Sequence, residues 1–202
     1  MKIKYLEMAL SECPKFLNPD PTLEQYLTPA NIAAHMIHRA YMEGNIENCT
    51  VCDLGCGTGI LSWGAAIAGA KEVHGFDVDK NALKAARNWG QKEKCEVIFY
   101  HSDVKNVKGS YDTVIMNPPF GSQKKHADMP FIKKACELSE TVFSFHNANS
   151  LPFLKNISGD LGFSPNWVMS FDFPIRSTYS FHTQNIHLQP VIMVKMTRIK
   201  KI

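Results

Sequence analysis

Thr50-Val-Cys-Asp-Leu54 runs as a short apolar segment into Gly55-Cys-Gly-Thr-Gly59, and residues 60–68 follow with small and apolar side chains. The first segment predicts a buried strand, the three alternating glycines a tight loop, and the third segment a buried helix. This order constrains the chain more than any other feature. In an open α/β sheet, glycines at the carboxyl end of a strand let the backbone approach a ligand closely. The same alternation continues, with strands predicted over 72–76, 96–100, 113–116 and 141–146 and helices over 80–91, 130–138 and 150–161. Strands separated by helices imply a parallel sheet covered on both faces. Residues 167–173 and 186–198 have no helix between them and are expected to pair antiparallel at the sheet edge. Upstream, Thr28-Pro29 reads as an N-cap and first helical residue of a helix through Ala40, preceded by a polar lead with a turn at Asn18-Pro-Asp-Pro21.

The glycine loop alone does not choose a ligand. Gly55, Gly57 and Gly59 are spaced G-x-G-x-G, whereas the dinucleotide fingerprint is G-x-G-x-x-G. Asp53 sharpens the choice, because a carboxylate two residues before the loop repels a pyrophosphate but favours the ammonium and sulfonium charges of S-adenosylmethionine (SAM). At the end of the second strand, Gly75-Phe-Asp-Val-Asp79 places Asp77 to accept both ribose hydroxyls and Val78 to pack on the adenine. In His101-Ser-Asp-Val104, Asp103 is placed to accept from the adenine amino group, with Val104 beside it. For Asp79 and Asp103 a helix-cap or turn role is the competing reading.

Thr113-Val-Ile-Met116 leads straight into Asn117-Pro118-Pro119-Phe120 at the same edge of the sheet. Two prolines stiffen the backbone and remove two donors, so the Asn117 side-chain carbonyl and the Pro118 carbonyl remain as acceptors for one planar amino group. Phe120 offers a ring on which a flat substrate can stack. Two acceptors that hold the hydrogens out of the conjugating plane return electron density to a nitrogen such as adenine N6, guanine N2 or a glutamine amide, which then attacks a sulfonium methyl in line. The catalytic assignment is therefore Asn117, Pro118, Pro119 and Phe120, with no metal.

The length, 202 residues, fits one domain with a full core, and 22 Lys plus Arg against 19 Asp plus Glu permit a nucleic-acid partner without requiring one. Lys2, Lys4 and Glu7 interrupt the start of the chain where a signal peptide has an apolar core, and no apolar run reaches membrane-spanning length, so a cytoplasmic protein with no membrane partner is expected. Six cysteines follow no secreted framework; Cys49-Thr-Val-Cys52 matches C-x-x-C, but odd spacing on a strand points the thiols to opposite faces. His35, His38, His74, His101 and His146 lack metal spacing and read as structural or surface residues, whereas His182, flanked by Tyr179 and Phe181, suits a base-contacting aromatic cluster.

Through Asp53-Leu-Gly-Cys-Gly-Thr-Gly59, Gly75-Phe-Asp-Val-Asp79 and Asn117-Pro-Pro-Phe120 the chain resembles Class I SAM-dependent methyltransferases of the amino-methylating group. With Asn18-Pro-Asp-Pro-Thr-Leu-Glu-Gln-Tyr26, Thr28-Pro29 and Tyr179-Ser-Phe-His182 added, it resembles the small-subunit ribosomal RNA N6-adenosine methyltransferases, the family of human methyltransferase-like protein five, along essentially its whole length. That resemblance implies one Rossmann-like domain over 1–202 with sheet order 3-2-1-4-5-7-6, the last strand antiparallel and helices on both faces. It implies that residues 1–45 form a cofactor-covering segment and helix, with Gln25, Tyr26 and Thr28 in the SAM pocket, and that the Asn-Pro-Pro-Phe residues hold the target adenine. Relatives commonly follow Tyr-x-Phe-His with basic residues; here Thr183-Gln184 stand there, and Lys124, Lys125 and Arg176 are the nearest replacements for gripping RNA. The family also implies a small zinc-containing activator protein added by β-augmentation to the edge strand, Glu96-Val-Ile-Phe-Tyr100. Glutamine N5-methylation of a release factor, guanine-N2 methylation of RNA and a non-catalytic SAM- or RNA-binding module are the competing readings.

Overall fold

A computed structural model describes residues 1–17, 19–90, 96–121, 126–176 and 186–200. Five strands run parallel: β1 (Thr50–Leu54), β2 (Glu72–Asp77), β3 (Val97–His101), β4 (Thr113–Met116) and β5 (Thr141–Asn147). The long strands β6 (Phe163–Arg176) and β7 (Ile186–Arg198) complete the sheet in the order β3-β2-β1-β4-β5-β7-β6, and β7 is antiparallel to both of its neighbours. This is the expected order and edge pairing. A register shift between Trp167 and Met169 bends β6.

Among the described residues there are six α-helices: α1 (Ile3–Ser11), α2 (Ala30–Met42), α3 (Ile60–Ile67), α4 (Lys80–Trp89), α5 (Met129–Leu138) and α6 (Leu151–Asp160). Because side chains alternate along a strand, each strand feeds both layers of the core. Val51, Val73, Ile115, Phe143 and Phe145 face the layer of α1 to α4, and Cys52, Leu54, Val114, Met116 and Val142 face that of α5 and α6. Strands β1 and β4, buried on both faces, read as continuous apolar runs for that reason.

Four expectations are corrected. The N-terminal lead is not a polar coil: it contains α1, which buries Leu6 and Leu10, one turn apart, and leaves its charged side outward. Helix α2 begins after Pro29, and Thr28 makes no capping bond, because its hydroxyl is engaged elsewhere. The edge strand is displaced by one residue, to Val97–His101, and the antiparallel strand expected over 167–173 extends over Phe163–Arg176.

Candidate active site

Parallel register aligns the carboxyl ends of the strands. Leu54 pairs with Phe76 and with Met116, so Gly55, Asp77 and Asn117 leave the sheet side by side. A cavity of about 410 Å³ opens there, within the range of small-molecule sites. Its wall includes eleven of the expected cofactor residues: Gln25, Tyr26, Thr28, Asp53, Gly55, Gly57, Asp77, Val78, Asp103, Val104 and Asn117.

Gly59 is the exception and lies outside the wall. It caps α3 with φ +87, and a Cβ there would sit 2.9 Å from Phe99 and 3.1 Å from Ala86, so its glycine is required by the turn and by packing. Gly57, at φ +53, approaches a side chain that sequence reading did not place in the site, since its Cβ would meet the Phe16 ring at 2.8 Å. Phe16 and Phe131 both line the cavity; isolated aromatics outside any motif carry no local signal for that role.

Four of the loop amides are already spent on the protein. Gly55 N and Cys56 N donate to Phe76 O at 2.8 and 3.0 Å, Gly59 N donates to Cys56 O at 2.8 Å, and Gly57 N donates to Asp77 Oδ2 at 2.7 Å. A pyrophosphate needs those donors free. Asp77, a lining residue, also takes the Asp79 N–H on Oδ1 at 2.8 Å, and a carboxylate has capacity to accept further donors. Burial raises its pKa above the usual carboxylate range, against the pull of the Asp79 and Gly57 amides. Val78 is 45% exposed in the wall, an apolar surface suited to an adenine face. Asp103 Oδ1 accepts from Lys105 N at 2.8 Å and caps the short 3-10 helix Val104–Asn106, so the competing cap reading describes one of its oxygens. Asp79 likewise caps α4 through Asn81 N, while its Oδ2 receives Gln25 Nε2 at 2.8 Å. That bond ties the segment before α2 to the start of α4.

Asp53 and Asn117 each place in the wall a buried acceptor atom without a partner among the described residues. Asp53 is 1% exposed; Ser62 Oγ donates to its Oδ2 at 2.6 Å and its Oδ1 receives nothing. Burial pushes its pKa up to about 7, opposed by Ser62 and reinforced by the charge of Asp77. Asn117 Nδ2 donates to Thr28 Oγ1 at 2.9 Å, which leaves Asn117 Oδ1 buried and unpartnered. A cation beside Asp53 and an amino group beside Asn117 satisfy these two atoms. The residues therefore fit SAM, whose ammonium meets the first requirement, better than an anionic dinucleotide.

Of the catalytic motif, Asn117 and Pro119 line this cavity, and Pro118 and Phe120 lie beside it. The Phe120 ring stands edge-on to Phe173 at 5.8 Å, half-buried. Of the substrate contacts, Lys124, Lys125, Tyr179, Phe181 and His182 lie outside the described residues, and Arg176 is described in its backbone alone. Burial pushes the Cys52 and Cys56 thiols well above their usual range, so both stay protonated. No group of three or more metal-ligating side chains occurs among the described residues, nor any helix long and apolar enough to cross a membrane.

Sheet order, spent loop amides and two orphaned acceptors together define a Rossmann-like methyltransferase. The chain belongs to the methyltransferase small domain family, whose model matches residues 32–141. It is 34% identical over 190 residues to the rRNA N(6)-adenosine-methyltransferase METTL5 of Danio rerio, spanning 90% of this chain and 92% of that one. A Pyrococcus horikoshii protein provisionally assigned as an RNA methyltransferase superposes with a TM-score of 0.93 at 38% identity, covering 99% of each chain. A Methanocaldococcus jannaschii protein provisionally assigned as an N5-glutamine methyltransferase is 34% identical but matches only 38% of this chain.

Proposed function

We propose that the protein transfers a methyl group from SAM to N6 of an adenosine in RNA, with small-subunit ribosomal RNA as the substrate. The observation that carries this reading is the buried, unpartnered Oδ1 of Asn117, a residue that lines the cavity and whose Nδ2 is held by Thr28. SAM, when bound, supplies an electrophilic methyl group on a sulfonium centre. Asn117 Oδ1 and the Pro118 carbonyl accept the two hydrogens of the amino group, and the lone pair is drawn out of conjugation toward the methyl. Asp53 and Asp77 hold the cofactor by charge and by hydrogen bonds, and the segment carrying Gln25, Tyr26 and Thr28 covers it. The proton released on methylation leaves to solvent, since the protonated aminopurine is strongly acidic.

Similarity along nine-tenths of the chain favours the adenosine reading over glutamine methylation, for which the matched segment is little more than a third. The test is SAM-dependent tritium transfer to total RNA, isolated ribosomal subunits and a release factor, followed by nucleoside mass spectrometry. N6-methyladenosine in small-subunit RNA is expected; label in guanosine or in protein refutes the proposal.

An activator protein belongs to the same reading. Strand β3 lies at the edge of the sheet, so one row of its backbone groups has no neighbouring strand. Val97 and Ile98 are half-buried and Tyr100 is 40% exposed, a surface that a partner strand can cover.

A further inference from the structure

A fully buried polar chain lies outside the cavity. On β5, Ser144 and His146 share one face; Ser144 Oγ hydrogen-bonds His146 Nε2, and His146 Nδ1 donates to Asp128 Oδ2 at 3.1 Å. The three residues are 0%, 1% and 7% exposed. The Asp128 carboxylate accepts from Nδ1, which leaves Nε2 to accept from the serine hydroxyl. Such burial excludes any substrate from the serine, so the resemblance to a hydrolytic triad carries no hydrolytic chemistry.

Its position gives it another role. Ser144 pairs in register with Met116, the residue immediately before Asn117, so the chain of bonds starts beside the point where the Asn-Pro-Pro-Phe segment leaves the sheet. Asp128 stands where the chain returns, at the start of α5. Its neighbours Ala127, Pro130 and Phe131 line the cavity, and the Phe131 ring packs so closely on the glycine loop that a Cβ on Gly55 would lie 3.0 Å from it. A second tether supports the same return: His126 takes a left-handed φ of 59 and its ring lies 4.6 Å from that of Phe153 on α6. We infer that His146, through Asp128 and Ser144, is a positioning residue that clamps both ends of the Asn117–Asp128 segment and so fixes Asn117 and the Phe131 wall for methyl transfer. An unmade hydrogen bond is expensive at this depth, so the clamp holds one geometry in place of an ensemble. The inference rests on the reading of Asn117 as the amino-group acceptor.

The test compares Asp128→Ala, Asp128→Asn and His146→Ala with the wild type. Peptide-level hydrogen exchange over residues 113–121 and 126–135, SAM affinity by calorimetry, and kcat and KM on the methylated RNA are the readouts. Asp128→Ala is expected to speed exchange at least tenfold in those two peptides while β1 to β3 stay protected, and to lower kcat at least tenfold. Asp128→Asn keeps an acceptor for Nδ1 and is expected to restore both within threefold. Unchanged exchange in Asp128→Ala, or kcat lost only in proportion to the unfolded fraction, overturns the clamp. Equal loss in Asp128→Asn does so as well. Should His146→Ala fail to fold, Ser144→Ala, which removes only the outer bond, takes its place, with a smaller loss expected in the same two peptides. A wild type that methylates no RNA defeats the proposed substrate while the exchange data still decide the clamp.

Discussion

If Asp53 is the partner of the cofactor's cation, as proposed, then stability and cofactor binding oppose each other at this residue. Its carboxyl has an ordinary pKa of 3.8 and is held at about 7 in the fold, chiefly by burial. Between those values the folded state binds more protons than the unfolded state, so stability falls as pH rises from about 4 to about 7 and is level beyond. A difference of about three pH units, at 1.36 kcal/mol each, sets an upper bound of about 4 kcal/mol on the cost. Asp53→Asn keeps an oxygen for Ser62 Oγ and removes the charge. The variant is expected to be more stable than the wild type at pH 8 by about 1–3 kcal/mol, after discounting for relaxation around the site, and equal or less stable at pH 4. Its SAM affinity is expected to fall at least tenfold at pH 7.5, and the rise in wild-type affinity between pH 5.5 and 7.5, as Asp53 ionises, is expected to flatten. Urea unfolding across pH 4 to 8 and calorimetric titration with SAM supply both measurements. A variant destabilised at every pH, or one that keeps the wild-type pH dependence of SAM binding, refutes the assignment of Asp53 as the cation's partner.

Asp77→Ala removes an acceptor for ribose hydroxyls together with the bonds to Gly57 N and Asp79 N, and SAM binding is expected to weaken by about 1.5–3 kcal/mol with normal circular dichroism. Calorimetry showing unchanged affinity removes it from the site. Asn117→Ala is expected to leave SAM bound within threefold and to cut methyl transfer at least about 100-fold; near wild-type turnover on the true substrate sinks the amino-group mechanism. On the proposed edge pairing, Ile98→Pro on β3 is expected to abolish co-elution with a zinc-containing activator protein on size-exclusion chromatography, and a fully active monomer that co-elutes with no such protein counts against the proposal.

The strand ends were legible because each combines a buried run with a sharp change of chemistry: Leu54 into Gly55, Phe76 into Asp77, Met116 into Asn117. Once the sheet is parallel, register brings those ends together without further information. Helix α1 escaped notice because only Leu6 and Leu10 mark its buried side, among Lys2, Lys4 and Glu7. Thr28 before Pro29 follows the rule for an N-cap, but a tertiary bond to a residue 89 positions away outweighs a local one. His146 was grouped with the other histidines because its partner Asp128 sits across a helix start, and the contact exists only after α5 docks on β5. Local signals fix which residues reach the edge of the sheet; they do not show which hydroxyl or imidazole then holds them.

The cavity is also selective in what it lacks. With the amides of Gly55, Cys56, Gly57 and Gly59 donating inward, the loop offers little to an anion, and the buried Asp53 oxygen further disfavours one. The second orphaned acceptor differs in kind. A carboxylate at position 117 would stabilise an ammonium, holding the acceptor nitrogen protonated and without a lone pair. The neutral amide of Asn117 accepts a hydrogen bond without favouring that charge, so a nitrogen placed against it stays nucleophilic. An ordinary amine is protonated at neutral pH, whereas an amino group conjugated to an aromatic ring or a carbonyl is not. On the proposed mechanism, position 117 therefore selects conjugated amino groups over aliphatic amines, and the carboxylates of the wall, Asp53 and Asp77, are the groups proposed to meet the positively charged methyl donor.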